Sequence, residues 1–177
     1  MTDLAAPMAG DGVRGEPMTE PHRAALKAAC AEDPEIWSIF ALSFDAAHFD
    51  ATFDTIMALP WVRFALFDDS GGLIGMSCFL NMVEDRQTLE IGNTYYRPCF
   101  RGTGINRRVK AMMMVRAFEC GFTRIEYRVD QRNTRSQAAM TKLGAVREGV
   151  MRKDRTIWTG HRRDTVLFSI LKGEWHG

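Results

Sequence analysis

Apolar positions recur with two different periods along this chain, and the change of period marks out its elements. Residues 13–18 predict a short strand, weakened by Gly15. Thr19 and Glu20 ahead of Pro21 signal a helix start. Ala24, Ala25, Ala28 and Ala29 then share one face of a helix over 20–31. Phe49, Phe53 and Ile56, spaced by four and three, predict a second helix over 46–59. Beyond residue 60 the pattern becomes runs of apolar residues broken by turn signals such as DDSGG at 68–72. Segments 61–67, 73–83 and 87–96 read as strands, and links this short join only antiparallel neighbours. A helix over 105–120 carries Ile105, Val109, Met113 and Ala117 on one face. Met114, Val115 and Phe118 widen that face, so more than one side is buried. After Gly121 follow a strand at 124–129, a helix at 136–143 closed by Gly144, and strands at 145–152 and 164–171. The order predicts an α/β domain with helices on a mixed, mostly antiparallel sheet. Residues 1–12 read as a flexible tail and 13–177 as one domain.

Composition narrows the class. With 46% apolar and 25% charged residues, the chain is neither disordered nor fibrous. No apolar run reaches 18 residues and the N-terminus lacks a secretory pattern, so neither a membrane span nor export is expected. Cys30, Cys78, Cys99 and Cys120 are too scattered for a disulfide framework, and no C-x-x-C pair suggests a metal site. A cytoplasmic protein without metal is expected.

Net charge is only +1, but residues 1–96 hold 15 acidic and 5 basic side chains, while 97–177 hold 7 and 18. The basic half contains RPCFRGTGINRRVKAMMMVR (97–116), with six basic residues and no acid, between a strand and a helix. Gly102 and Gly104 permit positive φ and close backbone approach. The free amides of a first helical turn, together with the helix dipole, make an anion site suited to phosphate. The competing reading is an ordinary glycine turn before a basic, solvated helix start. The segment fits neither a phosphate-binding G-x-x-x-x-G-K-[ST] loop nor a dinucleotide fingerprint, whose third glycine is replaced by Arg107.

Arg101-Gly102-Thr103-Gly104-Ile105-Asn106 resembles the acetyl-coenzyme A loop [QR]-x-x-G-x-[GA] of the GNAT acetyltransferase superfamily, with Asn106 in place of the last small residue. E-I-G (90–92), R-N-x-R-S-Q-x-A (132–139), K-L-G-A-x-x-E-G (142–149) and R-D-T-V-x-F-S-I (163–170) resemble the RimJ/RimL-like branch. The likeness runs from Val13 to Trp175. It implies a splayed sheet with acetyl-coenzyme A between strands 87–96 and 124–129. The pantetheine arm would pair with backbone groups around Asn93–Arg97, including Tyr95, Tyr96 and Arg97. The pyrophosphate would sit on the amides of Gly102, Thr103, Gly104, Ile105 and Asn106, with Arg101 also among the coenzyme-binding residues. One extra residue between E-I-G and R-G predicts a β-bulge there.

Acetyl transfer to an amine requires a base, a donor to the developing oxyanion and a proton for the departing thiolate. The resemblance maps Asn133 to the pantetheine arm and Ser136 to the acid. Ser136 also suits the N-cap of helix 136–143. Glu90 is the candidate base; the alternative is an exposed strand carboxylate in a salt bridge. Glu148 is second and reads as structural. Tyr127 could donate or stack near the ligand, though buried tyrosines are common in sheets. His22, His48, His161 and His176 form no spaced cluster and read as surface residues. The eleven methionines, Trp61, Trp158 and Trp175 read as core or edge, whereas Trp37 and Phe40 could shape the acceptor site.

These features imply an N-acetyltransferase using acetyl-coenzyme A on a protein N-terminal amine, a polyamine or another small amine. A non-catalytic acyl-coenzyme A sensor is the alternative. Nucleic acid is not expected as a partner, and a homodimer is left open. Glu32, Asp33, Glu35, Asp45, Asp50 and Asp54 lie on or beside the first two helices and predict a cationic acceptor.

Overall fold

The computed structural model describes residues 3–175. Eight strands form one sheet in the spatial order β1-β2-β3-β4-β5-β6-β8-β7. They are β1 (Met8–Gly10), β2 (Val13–Pro17), β3 (Val62–Asp68), β4 (Leu73–Val83), β5 (Thr88–Tyr96), β6 (Arg124–Asp130), β7 (Val146–Thr156) and β8 (Arg162–Leu171). Helices α1 (Arg23–Cys30) and α2 (Phe49–Ala58) pack on one face; α3 (Ile105–Glu119) and α4 (Thr134–Leu143) pack on the other. The expected mixed α/β sheet is present: every neighbouring pair is antiparallel except β5 and β6.

Several boundaries differ from the sequence reading. The expected tail over 1–12 contains a strand, since Met8–Gly10 pairs with Val13–Gly15 around a two-residue turn. Asp11 and Gly12 supply the positive φ that this turn requires. Residues ahead of it are fastened too, because the Arg116 guanidinium donates to the carbonyls of Asp3, Ala6 and Pro7. Helix α2 starts later than residue 46 because the Asp45 carboxylate accepts the amides of Ala47 and His48 in a preceding turn. Helix α4 starts earlier than residue 136 because Asn133 is its cap, Oδ1 accepting from the Ser136 amide at 3.0 Å.

The larger core lies between the sheet and α3 and α4. It takes Val109, Met113 and Ala117 from α3, Met140 and Leu143 from α4, and Ile125, Val129, Val166, Phe168 and Ile170 from the sheet. The smaller core joins α1, α2 and Trp37 to Met76 and Tyr95. Trp61 and Trp175 pack at the edges of these cores, but Trp158 is 40% exposed. His48 and His161 are exposed, His22 is half-buried, and His176 lies outside the described residues.

The feature that positions a site is the β5–β6 pairing. It extends only from Thr88–Arg124 to Glu90–Glu126, although both strands continue. Beyond Glu90 the strands part and leave a fork inside the sheet. The bulge expected in β5 is there: Cys78 faces Gly92 but Met76 faces Tyr95, so β5 holds one residue more than β4. Asn93 absorbs it with φ of +47°.

Candidate active site

A cleft of about 900 Å³ passes through the fork. Strand alternation gives it two ends. On the α3/α4 face it is lined by Gly102, Gly104, Asn106, Arg107, Asn133 and Ser136. On the opposite face it meets Ile36, Phe40 and Leu42 from the segment after α1, together with Glu90, Arg128 and Arg163.

At the first end, Gly102 and Gly104 have φ of +80° and +83°, and a Cβ on either would meet no protein atom within 4 Å. Among the described residues, the amides of Gly102 to Asn106 find no backbone acceptor. These amides gather at the positive end of a 15-residue helix, a site for a diphosphate. Thr103 supports the loop from its exposed side, its hydroxyl donating to the Phe100 carbonyl at 2.6 Å. Arg107, Arg135 and Lys142 add positive charge to the cleft. The last two lie seven residues apart on α4, a spacing that places them on one helix face.

The expected arginines act differently. Arg97 does not line the cleft; its guanidinium is paired with Glu32 at 2.7 Å. Arg101 lines the cleft but is ion-paired with Asp33, and its Nε donates to the Tyr96 carbonyl at 2.9 Å. Both arginines therefore tie the chain after α1 to β5 and the loop. Tyr95 lines the cleft, but its hydroxyl points into the smaller core and donates to the Ala29 carbonyl at 2.7 Å. Tyr96 and Tyr127 are the better candidates for a ligand contact, because both hydroxyls are buried at the cleft without a protein partner.

Glu90 is buried, unlike the alternative of an exposed strand carboxylate, although the ion pair that alternative expected is present with Arg128. It stands at the last β5–β6 rung, where its Oε2 accepts from Asn81 Nδ2 at 2.7 Å and lies 3.5 Å from Arg128 Nε. Burial raises its pKa, which Arg128 and Asn81 only partly oppose. Gly92 makes room for it, since a Cβ there would lie 2.8 Å from Glu90 Oε1. This gives the E-I-G segment a steric reason. Glu148, by contrast, does not line the cleft. Hydrogen bonds from Arg124 and Ser169 lower its pKa to about 2, which supports the structural reading.

Ser136 lines the cleft without serving as the cap, a role taken by Asn133. Asn133 Oδ1 is occupied by that cap, leaving its amide group for a ligand. Trp37 is fully buried and does not line the cleft, whereas Phe40 does. The carboxylates expected to attract a cation are engaged elsewhere. Asp50 pairs with Lys27 and Arg23, Asp54 with Arg23, and Asp45 with His48. None of the six acids named for that role lines the cleft.

Lys110 was not among the expected site residues. It is buried at the cleft, with Nζ 2.7 Å from Thr94 Oγ1, which is in turn 2.7 Å from Ser77 Oγ. Burial lowers its pKa to about 7, against opposing contributions from Cys78 and Glu90. Its signal in the sequence was a lysine one residue beyond Val109 on a helix buried on more than one side. The shift has a sign in stability. The unfolded chain retains a proton that the native site releases, so between about pH 7 and 10.5 stability rises with pH; below pH 7 the burial penalty is fully present. Lys110→Met should flatten that rise, measured as the urea midpoint across this range. The difference between the wild-type and variant midpoints isolates Lys110 from the buried thiols, whose raised pKa values act in the opposite sense above about pH 9. A difference that stays constant across the range would refute the shift.

Comparison with known proteins matches residues 16–146 to the acetyltransferase (GNAT) domain. The chain belongs to the GNAT acetyltransferase family. A probable GNAT acetyltransferase from Chromobacterium violaceum is similar at 29% identity and TM-score 0.90, covering 99% of this chain and 90% of that one. A structure described as a putative acetyltransferase from T. thermophilus shares 32% identity at TM-score 0.86, covering 96% and 90%. A ribosomal-protein-S5-alanine acetyltransferase from Vibrio fischeri, at 16% identity and TM-score 0.73, covering 97% and 100%, shares the fold. No functionally curated protein matches. GNAT acetyltransferases use acetyl-coenzyme A, and the loop amides, the open space at Gly102 and Gly104, and the fork form a site of suitable chemistry for it. No helix in the described residues is long and apolar enough to cross a membrane, and they contain no group of metal-ligating side chains.

Proposed function

We propose that this protein is an acetyl-coenzyme A-dependent N-acetyltransferase acting on a primary amine, in the RimJ/RimL-like branch that its motifs resemble. The observation that carries this reading is the fork beyond Glu90, which joins the unpaired loop amides at one end to a buried carboxylate at the other. Gly102 to Asn106 would hold the pyrophosphate, and the β5 edge released beyond Glu90 offers backbone groups to the pantetheine arm, as to an added strand. Acetyl-coenzyme A supplies an acetyl group activated as a thioester. Glu90 accepts the proton of the incoming amine, and its raised pKa makes it a better base than an exposed carboxylate. Asn81 and Arg128 hold its carboxylate at the fork. Ser136, which lines the cleft, would return a proton to sulfur, with Asn133 fixing the helix start that carries it.

Calorimetry with coenzyme A, followed by thiol release across a panel of amines, tests the reading. Coenzyme A should bind and at least one amine should accelerate thiol release; binding without release from any amine would favour a sensor. Ser136→Ala should lower kcat about tenfold or more while leaving coenzyme A affinity nearly unchanged. A rise confined to KM for acetyl-coenzyme A would make Ser136 a binding residue.

A further inference from the structure

The far end of the cleft holds an arginine that no carboxylate contacts directly. Arg163 is 6% exposed, and among the described residues no carboxylate lies within 4.0 Å of it. Its neighbours are matched: Arg128 with Glu90, Arg132 with Asp130 at 2.8 Å, and Arg155 with Asp154 at 2.9 Å. Arg163 instead donates from Nε to Thr165 Oγ1 at 2.8 Å and from Nη2 to the Arg128 carbonyl at 3.3 Å. Burial disfavours its charged form and Arg155 adds to that effect, while Asp130, Asp154 and Glu90, none of them in direct contact, oppose it. A buried guanidinium whose carboxylates are not in direct contact leaves charge for a ligand to meet.

The strand register shows which face this charge occupies. Val166, Phe168 and Ile170 enter the core under α3 and α4, so Arg163 and Thr165 point the other way. Arg128, opposite Leu167, shares their face. Arg163, Arg155, Arg128 and Glu90 all line the cleft, opposite the apolar wall of Ile36, Phe40 and Leu42. Trp158, in the turn between β7 and β8, donates to the carbonyls of Trp37 and Ala41 and so ties that turn to the segment carrying Phe40 and Leu42.

We infer that the acceptor is an amine whose molecule also carries an anionic group, a carboxylate or a phosphoryl group, seated on Arg163 and Arg155 while its nitrogen faces Glu90. This deepens the acetyltransferase reading and rests on it. In the reaction, the amine nitrogen bonds to the acetyl carbon and the carbon–sulfur bond breaks. The amine proton passes to Glu90, and coenzyme A leaves as the thiol with a proton supplied from the protein. The anion compensates Arg163 without taking part in bond changes. Guanidinium pairs bind planar carboxylates with two parallel hydrogen bonds, so the site discriminates by geometry as well as charge.

The test uses matched pairs in thiol-release assays: leucine against isoamylamine, phenylalanine against phenethylamine, and O-phosphoethanolamine against ethanolamine, with spermidine and an amidated peptide alongside. At least one anionic member should exceed its neutral partner by about tenfold or more in kcat/KM. The carboxylate and phosphate arms identify the anion. Arg163→Met should abolish that preference with coenzyme A affinity unchanged, and Arg163→Lys should restore part of it. If Arg163→Met does not fold, Arg155→Gln, at a half-exposed position, should reduce the same preference. A preference for spermidine or the neutral amines, or one unaffected in both variants, overturns the inference. Calorimetry with N-acetylleucine and with N-acetyl-O-phosphoethanolamine separates the two readings. Absence of coenzyme A binding would defeat the acetyltransferase reading, while retention of an acylated anion, lost in the Arg163 variant, would still support the anion site. Binding of neither would refute that site.

Discussion

Gly104→Val should lower coenzyme A affinity at least a hundredfold, about 2.7 kcal/mol, while leaving a folded protein. Gly104 caps α3 with φ of +83°, a conformation that a β-branched residue adopts only with strain of about 1–3 kcal/mol. A domain of ordinary stability, about 5–15 kcal/mol, tolerates that. No protein atom lies within 4 Å of the added Cβ, so the fold meets no clash. Binding suffers in two ways. The valine side chain occupies the space over the loop amides, and relief of its strain rotates the peptide that presents them. Gly121→Val is the control, because Gly121 has φ of +94° with equally open space, at the other end of α3. It should lose comparable stability and keep coenzyme A affinity. Calorimetry and urea unfolding of both variants give the comparison; equal affinities in the two folded variants would mean that the loop does not hold the coenzyme.

The sequence showed most of the architecture because periodicity and glycine placement are local. Strand segments 61–67, 73–83 and 87–96 and the long helix from residue 105 were recognisable from their apolar spacing, and the bulge at Asn93 from one surplus residue. Local signals also misplaced some boundaries, where a side chain competed with the backbone. Asp45 and Asn133 each capture amides and thereby move a helix start. The site was less legible because its chemistry depends on pairing across the fold. Arg97 and Arg101 read as coenzyme-binding residues, but Glu32 and Asp33, more than sixty residues away in the sequence, pair with them. The acidic half looked like a lure for cations, yet its carboxylates largely neutralise helix and loop arginines and lysines. Lys110 and Arg163 were hidden for the converse reason. Their importance lies in burial at the cleft without a directly paired carboxylate, which no linear pattern displays.

Glu90→Gln should lower kcat/KM by about a hundredfold or more, the usual contribution of a general base. The substitution nearly preserves shape, and Asn81 Nδ2 can still donate to the remaining carbonyl oxygen. Coenzyme A affinity should therefore be unchanged, since Glu90 lies beyond the glycine loop at the fork. Stability provides a second control. Burial raises the Glu90 pKa above its unfolded value, so its linkage contribution is fully present below the unfolded pKa near 4.5 and declines as pH rises through the folded value. Above the unfolded pKa the buried carboxylate is thus a liability to the fold, and the glutamine variant should be at least as resistant to urea at neutral pH. Activity has the opposite sign, because only the ionised form accepts a proton. Wild-type kcat/KM should rise with pH through the raised Glu90 pKa, and the variant should lack that limb. Loss of activity together with loss of stability would point to a structural carboxylate bracing Arg128. Loss of the acidic limb in a protein of equal or greater stability assigns Glu90 to the proton transfer, a group retained at some expense to the fold because its burial makes it basic.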